Sequence, residues 1–366
     1  MSKIAITADI HFGVPGRLRD ILWACKVLRE YCKVASIDTV VVLGDLFHDR
    51  KALDIETLSH IARFFEEVSE DPYNQQWIVF PGNHDMFLRY SWKINSLQIL
   101  RKHLTVIEDL KILQLDDTRF WVLPFISFEK SYRKVLSRMN KRAEDGDYLF
   151  THVGVCNAKM NTCFLLQNWS IINFDDSPFR RIYTGHFHNR QQIGDNTFYP
   201  GSLIPFKFDE GDIAHGFYCL DLESGDHKFI NIWKAGAKLL PDEAPAPQFC
   251  TLLDDLLPEK AQEDISGNVV RVAIQRDYTT DEKRSIHQQL TGMGAVGVRW
   301  MSLFQKRDQE VVQKEQQDTS KDIFRSWYEK DKEKGAKDLD EKVLVTAHTD
   351  VIQEADEIYA LEEAEV

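Results

Sequence analysis

Apolar runs that break off in polar loops set the rhythm of this chain. Ile4-Ala5-Ile6 runs into Asp9-Ile10-His11, Thr39 to Leu43 into Gly44-Asp45-Leu46-Phe47-His48, and Trp77 to Phe80 into Pro81-Gly82-Asn83-His84-Asp85. Further on, Tyr148-Leu149-Phe150 delivers His152, and Arg181-Ile182-Tyr183 delivers Gly185-His186-Phe187-His188. Short β-branched or aromatic runs bounded by turn formers predict strands, and the continuous run 39–43 predicts a central strand covered on both faces. Helical periods lie between them. Residues 17–35 place Leu18, Ile21, Leu22, Cys25, Leu28 and Cys32 on one face, and residues 54–68 direct Leu58, Ile61, Ala62 and Phe65 inward. The alternation predicts a layered α/β core with mixed strands.

The period of Trp92, Ile94, Leu97, Ile99 and Leu100 predicts another helix over 91–103. Residues 104–107, 111–113 and 119–123 predict short strands of a second sheet, 131–141 a helix, and strands near 216–222 and 227–233 close the domain. Pro241 to Pro247 holds three prolines in seven residues, which favours an extended linker. A small unit follows, with a strand at 269–274, a helix opened by the capping pair Thr279 and Glu282, and a strand at 295–300. From about residue 306 the chain turns charged and helical, and residues 350–366 carry seven carboxylates without a Lys or Arg. The expected division is 1–237, 238–305 and 306–366.

Bulk properties narrow the function. A length of 366 residues suits one large domain with small appendages, and a formal charge of −13 excludes a wholly basic nucleic-acid surface. Any nucleic acid must be held by a local basic groove or through metals. The six cysteines form no CxxC pair and are expected to be reduced. Neither a signal-like start nor a run of roughly 18 apolar residues is present, so a cytoplasmic protein without a membrane span is expected.

The loops supply the chemistry. Asp9, His11, Asp45, Asn83, His84, His152, His186 and His188 all fall at strand ends, where α/β proteins build sites. Asp9-x-His11 alone could be a capping turn and Gly44-Asp45 any strand turn, whereas two histidines at alternate positions, His186-x-His188, are sharper and rarely occur on an extended segment without a metal. Together the motifs supply carboxylate, amide oxygen and imidazole without thiolate, which favours manganese, magnesium, iron or zinc in an open site. Two ions about 3.5–4 Å apart need a shared ligand, and a carboxylate such as Asp45 can bridge.

In order and in residue type, Asp9-x-His11, Gly44-Asp45, Gly82-Asn83-His84-Asp85, His152 and Gly185-His186-x-His188 resemble the motifs of the calcineurin-like metallophosphoesterase superfamily. Gly44-Asp45-Leu46-Phe47-His48 and Tyr199-Pro200-Gly201-Ser202 resemble its SbcD branch, the meiotic-recombination-eleven type of nuclease subunit in a bacterial or phage form. The motif resemblance spans about residues 1–235. It implies a four-layer α/β/β/α sandwich of two mixed sheets, with a small α+β capping domain and a C-terminal helical tail. It implies two Mn2+ ions, Mg2+ being the alternative. One would take Asp9, His11, Asp45 and His188, the other Asp45, Asn83, His152 and His186. His84 would be the catalytic histidine at the departing 3′ oxygen, and His48 a second active-site histidine.

The activity so implied is DNA phosphodiester hydrolysis, exonucleolytic at duplex ends and endonucleolytic, on double- or single-stranded DNA. The implied setting is DNA-end processing, recombination and repair beside an SbcC-like ATPase of the structural-maintenance-of-chromosomes type. The alternatives are a phosphoprotein phosphatase, a cyclic-nucleotide phosphodiesterase or a non-enzymatic scaffold. Arg17, Lys51, Arg89 and Lys207 flank the motif loops as candidate DNA contacts. Ile323, Phe324, Trp327 and Tyr328 form a thin aromatic stripe suited to docking on the ATPase. The family resemblance also implies a homodimer formed by helices near the site, here 54–68 and 91–103.

Overall fold

The computed structural model describes residues 2–88, 90–161, 164–165, 172–211, 213–253 and 265–303. The chain divides into two units, Met1–Ala246 and Pro247–Val366.

Two six-stranded sheets form the first unit. In spatial order the first runs His227–Asn231, Gly216–Asp221, Lys3–Thr7, Thr39–Val42, Gln76–Val79 and Thr105–Val106. Its last four strands are parallel, while Gly216–Asp221 lies antiparallel to Lys3–Thr7. The second sheet runs Gln191–Ile193, Thr197–Tyr199, Arg181–Gly185, Tyr148–His152, Thr118–Leu123 and Lys111–Leu115, parallel at its centre and antiparallel at both edges. The two-residue side-chain period explains the continuous apolar runs. Val41 and Leu43 face the second sheet, where Phe120, Phe150, Tyr183 and Phe198 meet them. Val40 and Val42 face outward, against Leu28 of α1 (Leu18–Val34) and Phe65 of α2 (Ile55–Glu70). On the far side, α3 (Glu129–Arg142) buries Tyr132, Val135 and Met139, and the Tyr132 hydroxyl bonds to Thr151 Oγ1 at 2.8 Å. A fourth helix, α4 (Ile232–Leu239), adds Ile232 and Ala235 to the core under α1 and α2. The result is the four-layer α/β/β/α sandwich expected of a metallophosphoesterase.

Several local expectations need correction. Residues 91–103 are not a helix. Met86–Leu88 and Ser91–Asn95 form a hairpin, followed by a short 3₁₀ turn, Ser96–Leu100. Leu97 and Leu100 do pack inward, which is the part of the helical period that was real, but Ile94 and Ile99 are exposed. On α2 the buried stripe is Ile61, Phe64, Phe65 and Val68, rotated away from Leu58 and Ala62, which face solvent. Thr105–Val106 completes the first sheet, not the second.

In the second unit three parallel strands, Phe249–Leu253, Val269–Ile274 and Gly297–Ser302, carry α5 (Thr280–Gly292). Thr279 and Glu282 form the expected capping box. The strand Phe249–Leu253, which directly follows the prolines, was not expected from the sequence. Among the described residues of this unit, Ile265, Val270, Val272, Ile274, Leu290, Ala295 and Val298 pack together as a core. Residues 304–366, including the Ile323–Tyr328 stripe, lie outside the described residues. Among the described residues no helix is long and apolar enough to cross a membrane.

The inter-sheet core aligns the strand ends, so its loss should show globally. Phe150, fully buried, should cost about 3–5 kcal/mol on replacement by Ala. Leu58→Ala, at a position 37% exposed, should cost about 0.5 kcal/mol or less. Urea titrations of the two variants decide whether the buried stripes are assigned correctly.

Candidate metal centre

The loops that leave the parallel strands continue to pair beyond the sheet. Asp9 N donates to the Gly44 carbonyl at 3.2 Å, His11 N to that of Asp45 at 3.1 Å, and His48 N to that of Phe12 at 2.9 Å. Asp9, His11, Asp45 and His186 adopt positive φ angles of 51°, 54°, 51° and 105°. Such backbone costs an L-residue about 1–2 kcal/mol each, and here it turns four side chains toward one point. Close backbone approach does the rest. A Cβ on Gly82 would lie 2.2 Å from Asp45 Oδ1, and one on Gly185 would lie 2.3 Å from the Leu43 carbonyl.

The polar atoms meet with lone pairs facing. His152 Nδ1 donates to the Leu43 carbonyl at 2.7 Å, which turns Nε2 into the site. That Nε2 lies 3.1 Å from Asn83 Oδ1 and 3.4 Å from Asp45 Oδ2. Asp45 Oδ2 is also 3.8 Å from His11 Nε2, which in turn lies 3.0 Å from His188 Nε2. His186 Nδ1 approaches Asn83 Oδ1 at 2.8 Å, while both Asp9 oxygens accept from His186 N. Among the described residues three sets have ligand atoms mutually within 4.8 Å: Asp9, His11 and His188; Asp9, Asp45 and His152; and His11, His48 and His84. Converging acceptors in a buried site need cations between them. His11 Nδ1 is buried and has no hydrogen-bond partner. The donor set therefore fits divalent metal.

Without metal the site is electrostatically strained. Burial pushes the Asp9 carboxyl up to about 6, against the pull of His152 and His188. Burial would also raise the Asp45 carboxyl, but His152, His11 and His84 outweigh it and hold it well below the carboxylate range. Burial drives the His186 imidazole down to about 3.

Every residue expected at the centre reaches it: Asp9, His11, Asp45, Asn83, His84, His152, His186 and His188. His84 stands beside the cluster, its ring centroid 5.0 Å from that of His11. Its Nδ1 donates to the His48 carbonyl at 2.6 Å, and the His48 and His84 rings stack at 5.8 Å. Three supports had no role assigned from the sequence. Asp85, fully buried, accepts from the backbone N–H of Gly82, Phe47 and Leu46 and so ties two motif loops together. Tyr199 Oη donates to the Val153 carbonyl, and Ser202 N donates to that of His188, so the Tyr-Pro-Gly-Ser stretch buttresses the last two ligand loops. Glu210 accepts from His188 Nδ1 at 2.9 Å.

The candidate DNA contacts fare differently. Arg17 is buried, donating to the Pro205 carbonyl and pairing with Asp20, so it braces a loop and is withdrawn as a phosphate contact. Lys51 and Lys207 are exposed, and Arg89 lies outside the described residues.

The profile of the calcineurin-like phosphoesterases matches residues 2–190, and the chain belongs to that family. The family is named for phosphoester chemistry, and the described residues include groups of Asp and His that could hold a metal ion. Two similar proteins carry provisional phosphoesterase names. The 078R protein of Invertebrate iridescent virus 3 is 25% identical over 47% of this chain and 49% of its own length. The 244L protein of Invertebrate iridescent virus 6 is 24% identical over 57% and 73%. The SbcD component of the SbcCD nuclease of Staphylococcus epidermidis is 23% identical over 61% of this chain and 66% of its own length. The chain thus spans about half the length of the first of these relatives. The solved structure of Yfce, a phosphoesterase from E. coli, matches 63% of this chain and 99% of its own at 17% identity and a TM-score of 0.31.

Gly82 makes the tightest of these approaches, which gives a test of the geometry. Gly82→Ala should destabilise the metal-free protein by about 1–3 kcal/mol and abolish binding of a divalent metal. Gly292→Ala, where a Cβ meets nothing within 4 Å, should leave both unchanged. Thermal melts and metal titrations of the pair are the check.

Proposed function

We propose that the protein is a manganese-dependent DNA nuclease, the phosphodiesterase partner of an SbcC-like ATPase of the structural-maintenance-of-chromosomes type. The observation that carries the hydrolase part is the convergence of the buried Asp9, His11, Asp45 and His152 with the half-buried Asn83, His186 and His188, with His84 fixed beside them. One ion would be held by Asp9, His11, Asp45 and His188, and the other by Asp45, Asn83, His152 and His186. Bound metal would orient the phosphate and make a water nucleophilic at neutral pH. The His48 carbonyl fixes the His84 ring through Nδ1, so its imidazolium would point Nε2–H at the departing 3′ oxygen as general acid. His48 acts here through its backbone as well as its ring, and it positions His84.

DNA as substrate is supported by the likeness to the SbcD component of the SbcCD nuclease and by the accessory unit after residue 247, which a small-molecule phosphatase does not need. Lys51 and Lys207 remain the candidate phosphate contacts. Self-association is part of the reading. With 91–103 no longer a helix, the exposed apolar positions there include Ile55 and Leu58 on α2, Phe87, Leu88 and Ile94 in the hairpin and Ile99 in the 3₁₀ turn.

The deciding experiment compares end-labelled linear duplex DNA with p-nitrophenyl phosphate esters, with and without manganese. Manganese-dependent shortening of the duplex is expected; ester hydrolysis alone would mean another metallophosphoesterase. His84→Ser should lower DNA cleavage by about 10²–10⁴-fold while both metals stay bound. Asp45→Ala should lose metal. Loss of metal from His84→Ser would make that residue a ligand. Removing residues 306–366 should leave nuclease activity nearly intact and abolish co-purification with the ATPase; undiminished ATPase binding would remove the tail from the interface.

A further inference from the structure

Glu210 has no place in any motif, yet it is 5% exposed and ends in the metal centre. Its Oε1 lies 2.9 Å from His188 Nδ1, and its Oε2 accepts from Phe206 N at 2.7 Å. Both oxygens are thus engaged, which suits a strut and not a ligand. The strut is itself anchored. It closes a 3₁₀ turn, Phe208–Glu210, with its N–H on the Lys207 carbonyl at 3.1 Å. Its carbonyl oxygen lies 2.9 Å from Nε2 of the buried His215, whose Nδ1 meets the Ser202 carbonyl at 3.0 Å. Arg17 braces the same loop at Pro205.

The site histidines are not supported alike. His152 rests its Nδ1 on the Leu43 carbonyl and His84 on that of His48, both neutral acceptors. His188 rests on a carboxylate. A carboxylate behind an imidazole fixes which nitrogen is bare and raises its basicity as a ligand. We propose that Glu210 is a positioning residue for metal binding. It presents His188 Nε2 to the ion shared with Asp9 and His11 and makes that site the tighter of the two. The inference rests on the proposed role of His188 as a ligand.

The test is calorimetric titration of manganese into the metal-stripped, full-length protein, in the wild type and in Glu210→Gln, His188→Ala and the double variant. Melting of the metal-free proteins monitors the fold. The wild type should bind two ions with unequal affinity. His188→Ala should lose the tighter event. Glu210→Gln, which keeps the shape, removes the charge and leaves a single oxygen to accept from His188 Nδ1 or Phe206 N, should keep both ions and weaken the tighter one about 10–100-fold, with only a small drop in the metal-free melting temperature. Added to His188→Ala, it should change nothing further. Unchanged affinity in Glu210→Gln while His188→Ala loses an ion would overturn the inference alone. A strongly lowered metal-free melt with an additive loss in the double variant would make Glu210 merely structural and also overturn it. Full binding by His188→Ala would sink the ligand reading beneath it.

Discussion

Two buried carboxylates, the Asn83 amide oxygen and four imidazoles converge on one point, with Asp45 3.8 Å from His11 and 3.4 Å from His152, His11 3.0 Å from His188 and Asn83 2.8 Å from His186, and everything near the sheet ends serves to keep them there. Such a cluster is unfavourable in itself: it desolvates charge and opposes lone pairs. The fold resists relaxation by rigid means. Strand ends are locked by loop-to-loop backbone bonds, by Asp85 spanning two motifs, and by glycines that let backbones touch where a methyl group could not fit. Stability is spent locally so that a divalent ion finds its ligands preorganised. That arrangement is how a hydrolase gains electrostatic catalysis without reorganisation at the moment of reaction.

The same constraint explains the order of the layers. Parallel strands bring their carboxyl ends to one edge, and only a sheet covered on both faces can be parallel and continuous in apolar residues. Val40 and Val42 on one face, with Val41 and Leu43 on the other, fix the register in which Asp45 emerges. A slip of one residue would turn Asp45 away from His152.

Much of this was legible in the sequence because burial writes strongly. The five apolar runs are central strands, and the residues ending them are the ones brought together at the sheet ends. What stayed hidden had weaker or double-edged signals. In 91–103, Trp92 and Ile94 alternate like a strand while Leu97 and Leu100 recur like a helix, and both patterns were partly true in turn. On α2, two apolar stripes compete, and only the packed structure shows that Phe64 and Val68 win over Leu58 and Ala62. Arg17 read as a cleft cation because it follows a motif loop, yet its guanidinium turned inward to a carbonyl. Glu210 left no trace, being 22 residues beyond His188 in a turn without periodicity.

Diffraction at the manganese absorption edge, from crystals grown with the metal, tests the central claim most directly. Two anomalous peaks about 3.5–4 Å apart, with the Asp45 carboxylate between them, are the result this account predicts. A single peak, or one seated among His11, His48 and His84 instead, would contradict it.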